Sequence, residues 1–219
     1  MSDYFSLDEI CKKNDFVLVD TCSFTEPLTN FPHDNLSSEE RLEKTIISNK
    51  NISFWLERIP SYKKIYSTEG VIDEIRNWKY DYKKAIKKPV FKKFVLKNGN
   101  TENIPKLRRE LRDNNKNRIN LANMLELEGR IFKMNENQKE IYGLFYEKYS
   151  SLREKFGLSE VDINLFILGT AIYRKKNTSI ISNDSGIRKA WRFFLRQNIP
   201  PGKGFYFYSA CGFNLFNRE

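Results

Sequence analysis

Two acidic residues lie at or just beyond the ends of predicted buried strands. Asp20 comes after the apolar run Phe16–Val19, and Asp184 comes shortly after the β-branched and apolar run 178–182. Short continuous apolar runs are typical of strands that are buried on both faces of a parallel sheet. Because ligand sites in such sheets lie beyond the carboxyl ends of the strands, we expect Asp20 and Asp184 to meet if their strands are neighbours. The alternative for Asp20 is a helix N-cap.

Two further acidic residues lie in predicted helices. Glu74 stands between Ile72 and Ile75, where a carboxylate needs a partner or a cation unless it turns to solvent. Asp162 falls in the first turn of a helix that Ser159 can cap. The alternative for Asp162 is a favourable interaction with the helix dipole.

Four carboxylates that shared one cleft would repel one another unless cations neutralised them. Oxygen ligands without a soft ligand nearby favour Mg²⁺ or Mn²⁺. Two such ions, about 3.5–4 Å apart, can activate a water molecule and hold the leaving oxygen of a phosphodiester. The residue types therefore predict a metal-dependent hydrolytic site.

The cysteine and histidine content argues against other kinds of site. The three cysteines, at positions 11, 22 and 211, form no C-x-x-C pair, and their odd number argues against a disulfide framework. His33 is the single histidine and lies in a polar, proline-flanked segment. A zinc site or a mechanism with a histidine base is therefore not expected.

No targeting or membrane segment is expected. The first residues lack the basic and apolar regions of a signal peptide. The longest apolar stretch, Ile163–Tyr173, is too short to cross a bilayer. We expect a cytoplasmic protein with no membrane partner.

The positive charge is concentrated in one segment. The net charge is +10, and between Lys79 and Arg118 there are 14 basic residues against four acidic ones, so this segment alone carries the excess. Aromatic residues alternate with its lysines, as in proteins that bind single-stranded nucleic acid. The alternative is that the aromatics pack inward and the lysines are only solvated. The residues expected to contact RNA are Lys83, Lys84, Lys87, Lys88, Lys92, Lys93, Arg108 and Arg109.

The periodicity predicts an α/β protein of one domain over residues 1–219. Strands are expected at 15–20, 62–67, 178–182 and 205–208. The region of about 79–155 is charged and helical in character and is expected to form a basic helical insertion.

Four fragments together resemble the motifs of the PIN-domain ribonucleases. They are Leu18–Thr21, Val71–Ile75, Leu158–Asp162 and Ile181–Asp184. Each fragment is short, but their order, spacing and strand or helix settings are specific. The resemblance covers about 15–75 and 157–210, and it does not cover the insertion.

The resemblance implies a three-layer α/β/α sandwich with a central parallel sheet, and endonucleolytic cleavage of RNA that depends on Mg²⁺ or Mn²⁺. It makes four carboxylates catalytic and metal-binding: Asp20, Glu74, Asp162 and Asp184. Thr21, Ser182 and Asn183 are expected as auxiliary polar residues beside them.

The chain departs from the family pattern in two ways. It is much longer than the compact toxin-type members, and Gly186 stands where a further acid is often found. Glu69 and Asp73 are rivals to Glu74, which matches the family position. Two other functions stay open: an RNA-binding module without turnover, and a structure-specific DNA nuclease. A homodimer and an inhibitory protein partner also stay open.

Overall fold

The fold is α/β and is built on a four-stranded sheet. The computed structural model describes residues 6–25, 49, 51–77, 104–197 and 203–208. The strands are β1 (Phe16–Val19), β2 (Ile65–Tyr66), β3 (Thr178–Ile181) and β4 (Phe205–Tyr208). All four are parallel and stand in the order β2-β1-β3-β4. The predicted strands are confirmed, although the second is shorter than expected.

Helices connect the strands. Residues 51–58 are helical and run into a 3₁₀ turn at Ile59–Ser61. The other helices are α1 (Leu7–Lys13), α2 (Thr21–Thr25), α3 (Glu69–Asn77), α4 (Ile104–Leu127), α5 (Glu136–Tyr149), α6 (Leu152–Phe156), α7 (Glu160–Tyr173) and α8 (Ser185–Arg196).

The strand order creates a crevice between β1 and β3. The chain runs from β1 outward to β2, crosses back to β3 and then continues outward to β4. The two central strands pair over their full length, with Val19 opposite Ile181 at their carboxyl ends. In open parallel sheets, ligands bind where successive connections leave neighbouring strands in opposite directions. Here that point lies beyond Val19 and Ile181.

The central strands are covered on both faces. Every residue of β1 and β3 is buried, which explains their continuous apolar or β-branched sequences. Helix α7 packs against β3 and β4, and a Cβ at Gly169 would come within 3.1 Å of the Ile180 and Phe205 side chains. The absence of a side chain at Gly169 therefore permits close packing between the helix and the sheet.

The described part of the predicted insertion, 104–155, is largely helical and contributes to the main core. Helix α4 packs against α3, and Leu121 and Leu125 are fully buried in the same cluster as the strands. Arg118 is only 1% exposed, and burial lowers its pKa to about 9. Arg118 therefore does not contribute to the basic surface that was inferred from the charge count.

No helix in the ranges that the structure describes is long and apolar enough to cross a membrane. Several positions named above lie outside those ranges. They are His33, Cys211, Lys83, Lys84, Lys87, Lys88, Lys92 and Lys93.

Candidate active site

Asp20 is held at the carboxyl end of β1 by its backbone and its side chain. Its N–H donates to the Ile181 carbonyl at 3.1 Å, while the Ser67 hydroxyl donates to the preceding carbonyl, that of Val19, at 2.9 Å. The side chain is 3% exposed, and its Oδ1 accepts the Thr21 N–H at 2.7 Å. A buried carboxylate is therefore fixed at the crevice between the central strands.

A single hydroxyl joins the ends of the two central strands. The Oγ of Ser182 donates to Asp20 Oδ2 at 2.8 Å and accepts the Asp184 N–H at 2.9 Å. Asp184 caps α8, because its Oδ1 accepts the Ile187 N–H at 2.8 Å. The structure thus brings Asp20, Ser182 and Asp184 together, as the parallel pairing of their strands predicted. Asn183 lies between Ser182 and Asp184 in the sequence, and its backbone N–H donates to the Cys22 sulfur at 3.1 Å.

Cys22 is a site residue that the sequence reasoning missed. Its Sγ donates to Asp20 Oδ2 at 2.8 Å, beside the hydrogen bond from Ser182. Burial, with the negative charge of Asp20, raises the pKa of the Cys22 thiol well above its usual value. The thiol therefore keeps its proton and acts as a donor. Its position two residues after Asp20, on the first turn of α2, is the signal that could have identified it.

Glu74 reaches the site through Thr21. The Thr21 hydroxyl donates to Glu74 Oε2, and α2 packs against α3, which carries Glu74. The side chain of Glu74 is therefore turned toward the strand ends, whereas Glu69 and Asp73 of the same helix are exposed. These two rivals line a separate groove of about 750 Å³ with Tyr66 and Phe132. The geometry favours Glu74 over both.

Asp162 has a structural role as well as a place in the site. It is the third residue of α7, and its carboxylate accepts the Ser159 N–H at 2.9 Å while its own N–H donates to the Ser159 hydroxyl. The predicted cap is confirmed as a complete capping box. Capping alone would explain this carboxylate, so its place in the site depends on the charges around it.

Charge interactions connect the four carboxylates. Burial raises the pKa of Asp20 to about 7, with a further contribution from the charge of Asp162. The pKa of Glu74 is also raised, first by burial and then by Asp162. Burial raises the pKa of Asp162 itself, and the charge of Asp184 adds to this effect. Asp162 therefore lies close enough to the other three to repel them, which separate capping roles would not require.

The donor chemistry of the site fits a hard divalent cation. Its charged groups are carboxylates, its neutral ones are hydroxyls, and the one sulfur is a protonated thiol. A cation would offset the burial and the charge of Asp162, which together raise the pKa of Asp20. In the described ranges, however, no three Asp, Glu, His or Cys side chains form a metal-binding group. Here the four carboxylates accept hydrogen bonds from hydroxyl, thiol and backbone N–H groups instead.

The structure leaves no room for a side chain at Gly186, the position at which the resemblance would lead us to expect a further acid. A Cβ at this position would lie 2.7 Å from the carbonyl oxygen of Phe156, and 2.9 Å from both Asp184 Oδ1 and Leu158 Cδ2. We expect Gly186→Asp to lower the free energy of unfolding by about 1–3 kcal/mol, because a backbone atom must move to admit the side chain. Chemical denaturation of both proteins measures this difference.

A matched control for this substitution is Gly143→Asp. A Cβ at Gly143 of α5 meets no atom within 4 Å, so this change should leave stability almost unaltered. If Gly186→Asp were as stable as the unmodified protein, the packing explanation for the missing acid would be wrong.

The predicted RNA-binding residues are only partly described. Arg108 and Arg109 lie on α4, and both are exposed, as a role in binding requires. The six lysines predicted with them fall outside the described residues. Their contact with RNA stays a prediction.

Comparisons with known proteins give no independent assignment: no protein-family model, curated protein or solved structure matches the chain.

Proposed function

We propose that the protein is a PIN-like endoribonuclease that depends on Mg²⁺ or Mn²⁺ and hydrolyses phosphodiester bonds of single-stranded RNA. One observation carries the proposal. Asp20, Ser182 and Asp184 converge at the crevice between β1 and β3, where the charge of Asp162 acts on Asp20 and Glu74. The parallel sheet with covered central strands is compatible with the three-layer sandwich of that family.

The contacts of the residues support a role for each of them in this proposal. Asp20, Glu74, Asp162 and Asp184 would hold the divalent ions, and Asp20 is oriented in advance by donors from Thr21, Cys22 and Ser182. When bound, the ions supply an activated water molecule and stabilise the leaving oxygen of the phosphodiester. The Thr21 hydroxyl orients Glu74.

One cleavage assay tests the proposal against both alternatives. End-labelled single-stranded RNA, DNA of the same sequence and a circular RNA are incubated with Mg²⁺, Mn²⁺ or EDTA. We expect cleavage of both RNAs with either metal and none with EDTA. Cutting of the circular RNA establishes endonucleolytic action, because a circle has no ends. Attack by water should also leave 5′-phosphate and 3′-hydroxyl ends, unlike attack by the ribose 2′-hydroxyl.

Other outcomes would contradict the proposal in distinct ways. Cleavage of the DNA alone would indicate a DNA nuclease. Retained RNA binding without cleavage would indicate a binding module without turnover. Cleavage of RNA that persists in EDTA would show that the four carboxylates do not act through divalent ions.

A further inference from the structure

Helix α8 carries a basic face that the sequence analysis did not single out. The helix contains four basic residues and no acidic one, and all four are exposed. They are Arg188, Lys189, Arg192 and Arg196. The net charge of the chain outside 79–118 is zero, because acidic residues elsewhere balance these four basic ones. The charge count therefore did not indicate a basic face on this helix.

The spacing of these residues forms a stripe that starts beside the candidate site. Arg188, Arg192 and Arg196 are four residues apart, so their Cα atoms follow one another at about 6 Å along the helix. Arg188 lies one turn after Asp184, and its N–H donates to the Asp184 carbonyl at 3.3 Å. Lys155 of α6 extends the stripe, because its Nζ lies 4.0 Å from the ring centroid of Phe193.

Within the described residues, these charges have no acidic partner. None of the four forms an ion pair with an acidic side chain within the described ranges, whereas Arg76 and Arg153 pair with Glu126 and Glu160. Like charges three and four residues apart on one helix repel one another and are solvated at some cost to helix stability. A polyanion would remove that repulsion.

The other face of α8 is packed in the core, so the helix is not built to insert into a membrane interface. Ile187, Ala190 and Phe194 are fully buried in the core, and Trp191 donates to the Phe205 carbonyl at 3.3 Å. An interfacial helix must bury its apolar face in lipid, which α8 could do only by leaving the protein. The exposed face, which is basic apart from Leu195, therefore fits a partner that binds mainly through charge.

We propose that the basic face of α8 binds successive phosphates of the single-stranded RNA whose neighbouring bond enters the carboxylate cluster. This inference rests on the proposed function and adds the surface that positions the substrate. The cluster alone would repel a phosphate backbone. Arginines that start one turn from Asp184 offset this repulsion and give the strand a direction along α8.

RNA binding by the double variant Arg188→Gln/Arg192→Gln tests the proposal. Affinity for a fluorescent single-stranded RNA is measured in EDTA, so that no cleavage occurs, over a series of monovalent salt concentrations. Loss of two phosphate contacts should reduce the slope of log affinity against log salt by about 1.4, and weaken binding roughly 20-fold at 0.1 M salt.

The matched control is Lys12→Gln/Lys63→Gln, which also removes two exposed positive charges. Lys12 precedes β1 and Lys63 precedes β2, so both lie toward the amino ends of the strands, away from the cluster. We expect its affinity and salt slope to equal those of the unmodified protein. Circular dichroism of both variants checks the fold.

The outcomes separate this inference from the proposed function. An unchanged salt slope in the α8 variant, an equal loss in the control, or no RNA binding by the unmodified protein would overturn the inference. If the unmodified protein cuts RNA but the α8 variant binds normally, only the inference fails. If binding depends on Arg188 and Arg192 but nothing is cut, the inference stands and the nuclease proposal fails.

Discussion

Replacement of Asp20 by asparagine should reduce RNA cleavage by at least 100-fold. Asparagine has the shape of aspartate but carries no charge, so it cannot hold a divalent ion with the same strength. Loss of a group that only supports a metal ligand costs about 10–100-fold in activity, and loss of a ligand should cost more. Initial rates of cleavage with Mg²⁺ and with Mn²⁺ measure the effect.

The same substitution should leave the fold intact. The Oδ1 of asparagine can still accept the Thr21 N–H, which Asp20 accepts at 2.7 Å. Its amide group can donate to the oxygen of Ser182 and the sulfur of Cys22, whose own hydrogens are free to rotate. If the variant is folded but inactive, the loss of RNA cleavage is due to the missing charge and not to unfolding.

Asp73→Asn is the matched control for this test. Asp73 is an exposed carboxylate next to Glu74 in sequence, but it lines the separate groove with Glu69. We expect this variant to cleave RNA at the rate of the unmodified protein. Full activity of Asp20→Asn, or a comparable loss in Asp73→Asn, would reject the assignment of the active site.

The strands could be predicted because a strand that is buried on both faces has a continuous apolar sequence. The run Phe16–Val19 is such a sequence, and its end indicated that Asp20 lies at the edge of the sheet. The second strand was overestimated because only Ile65 and Tyr66 pair with β1. Ser67 instead bridges to Ile131, a partner far away in sequence. Pairing of this kind leaves no local pattern.

The part of the candidate site that depends on sheet topology could be predicted from the sequence. Parallel neighbours align their ends, so Asp20 and Asp184 had to approach each other once β1 and β3 paired. The groups that orient Asp20 were harder to predict, because a thiol donor such as Cys22 looks like any small buried residue in a sequence. The burial of Arg118 could not be predicted either, since a charge count does not distinguish a buried side chain from an exposed one.

Stability of the metal-free protein should fall as pH rises from about 4 to about 7. The pKa of Asp20 is about 7 in the folded protein against an ordinary value of 3.8, so the folded state retains a proton that the unfolded chain releases in this range. The contribution of Asp20 to stability is then greatest below pH 4, and the loss levels off above pH 7. The pKa shift corresponds to about 4 kcal/mol. Glu74 and Asp162 shift in the same direction.

Comparison with Asp20→Asn isolates the contribution of this one carboxylate. The variant should be more stable than the unmodified protein at pH 8, by roughly 10 °C in melting temperature, and the difference should vanish near pH 4. Thermal unfolding of both proteins in EDTA across this range measures it. Equal melting temperatures at pH 8 would show that Asp20 is not the destabilising charge.

Divalent ions should reverse this destabilisation in the unmodified protein alone. At pH 8 Asp20 is ionised, so Mg²⁺ or Mn²⁺ that binds the folded state raises its melting temperature according to the ratio of ion concentration to Kd. At pH 5 protons compete with the ion for Asp20, and the increase should be smaller. Asp20→Asn should respond weakly at both pH values. If the ions raised the melting temperature of both proteins equally at pH 8, they would bind at another position. Asp20 would then be a buried charge that does not take part in metal binding.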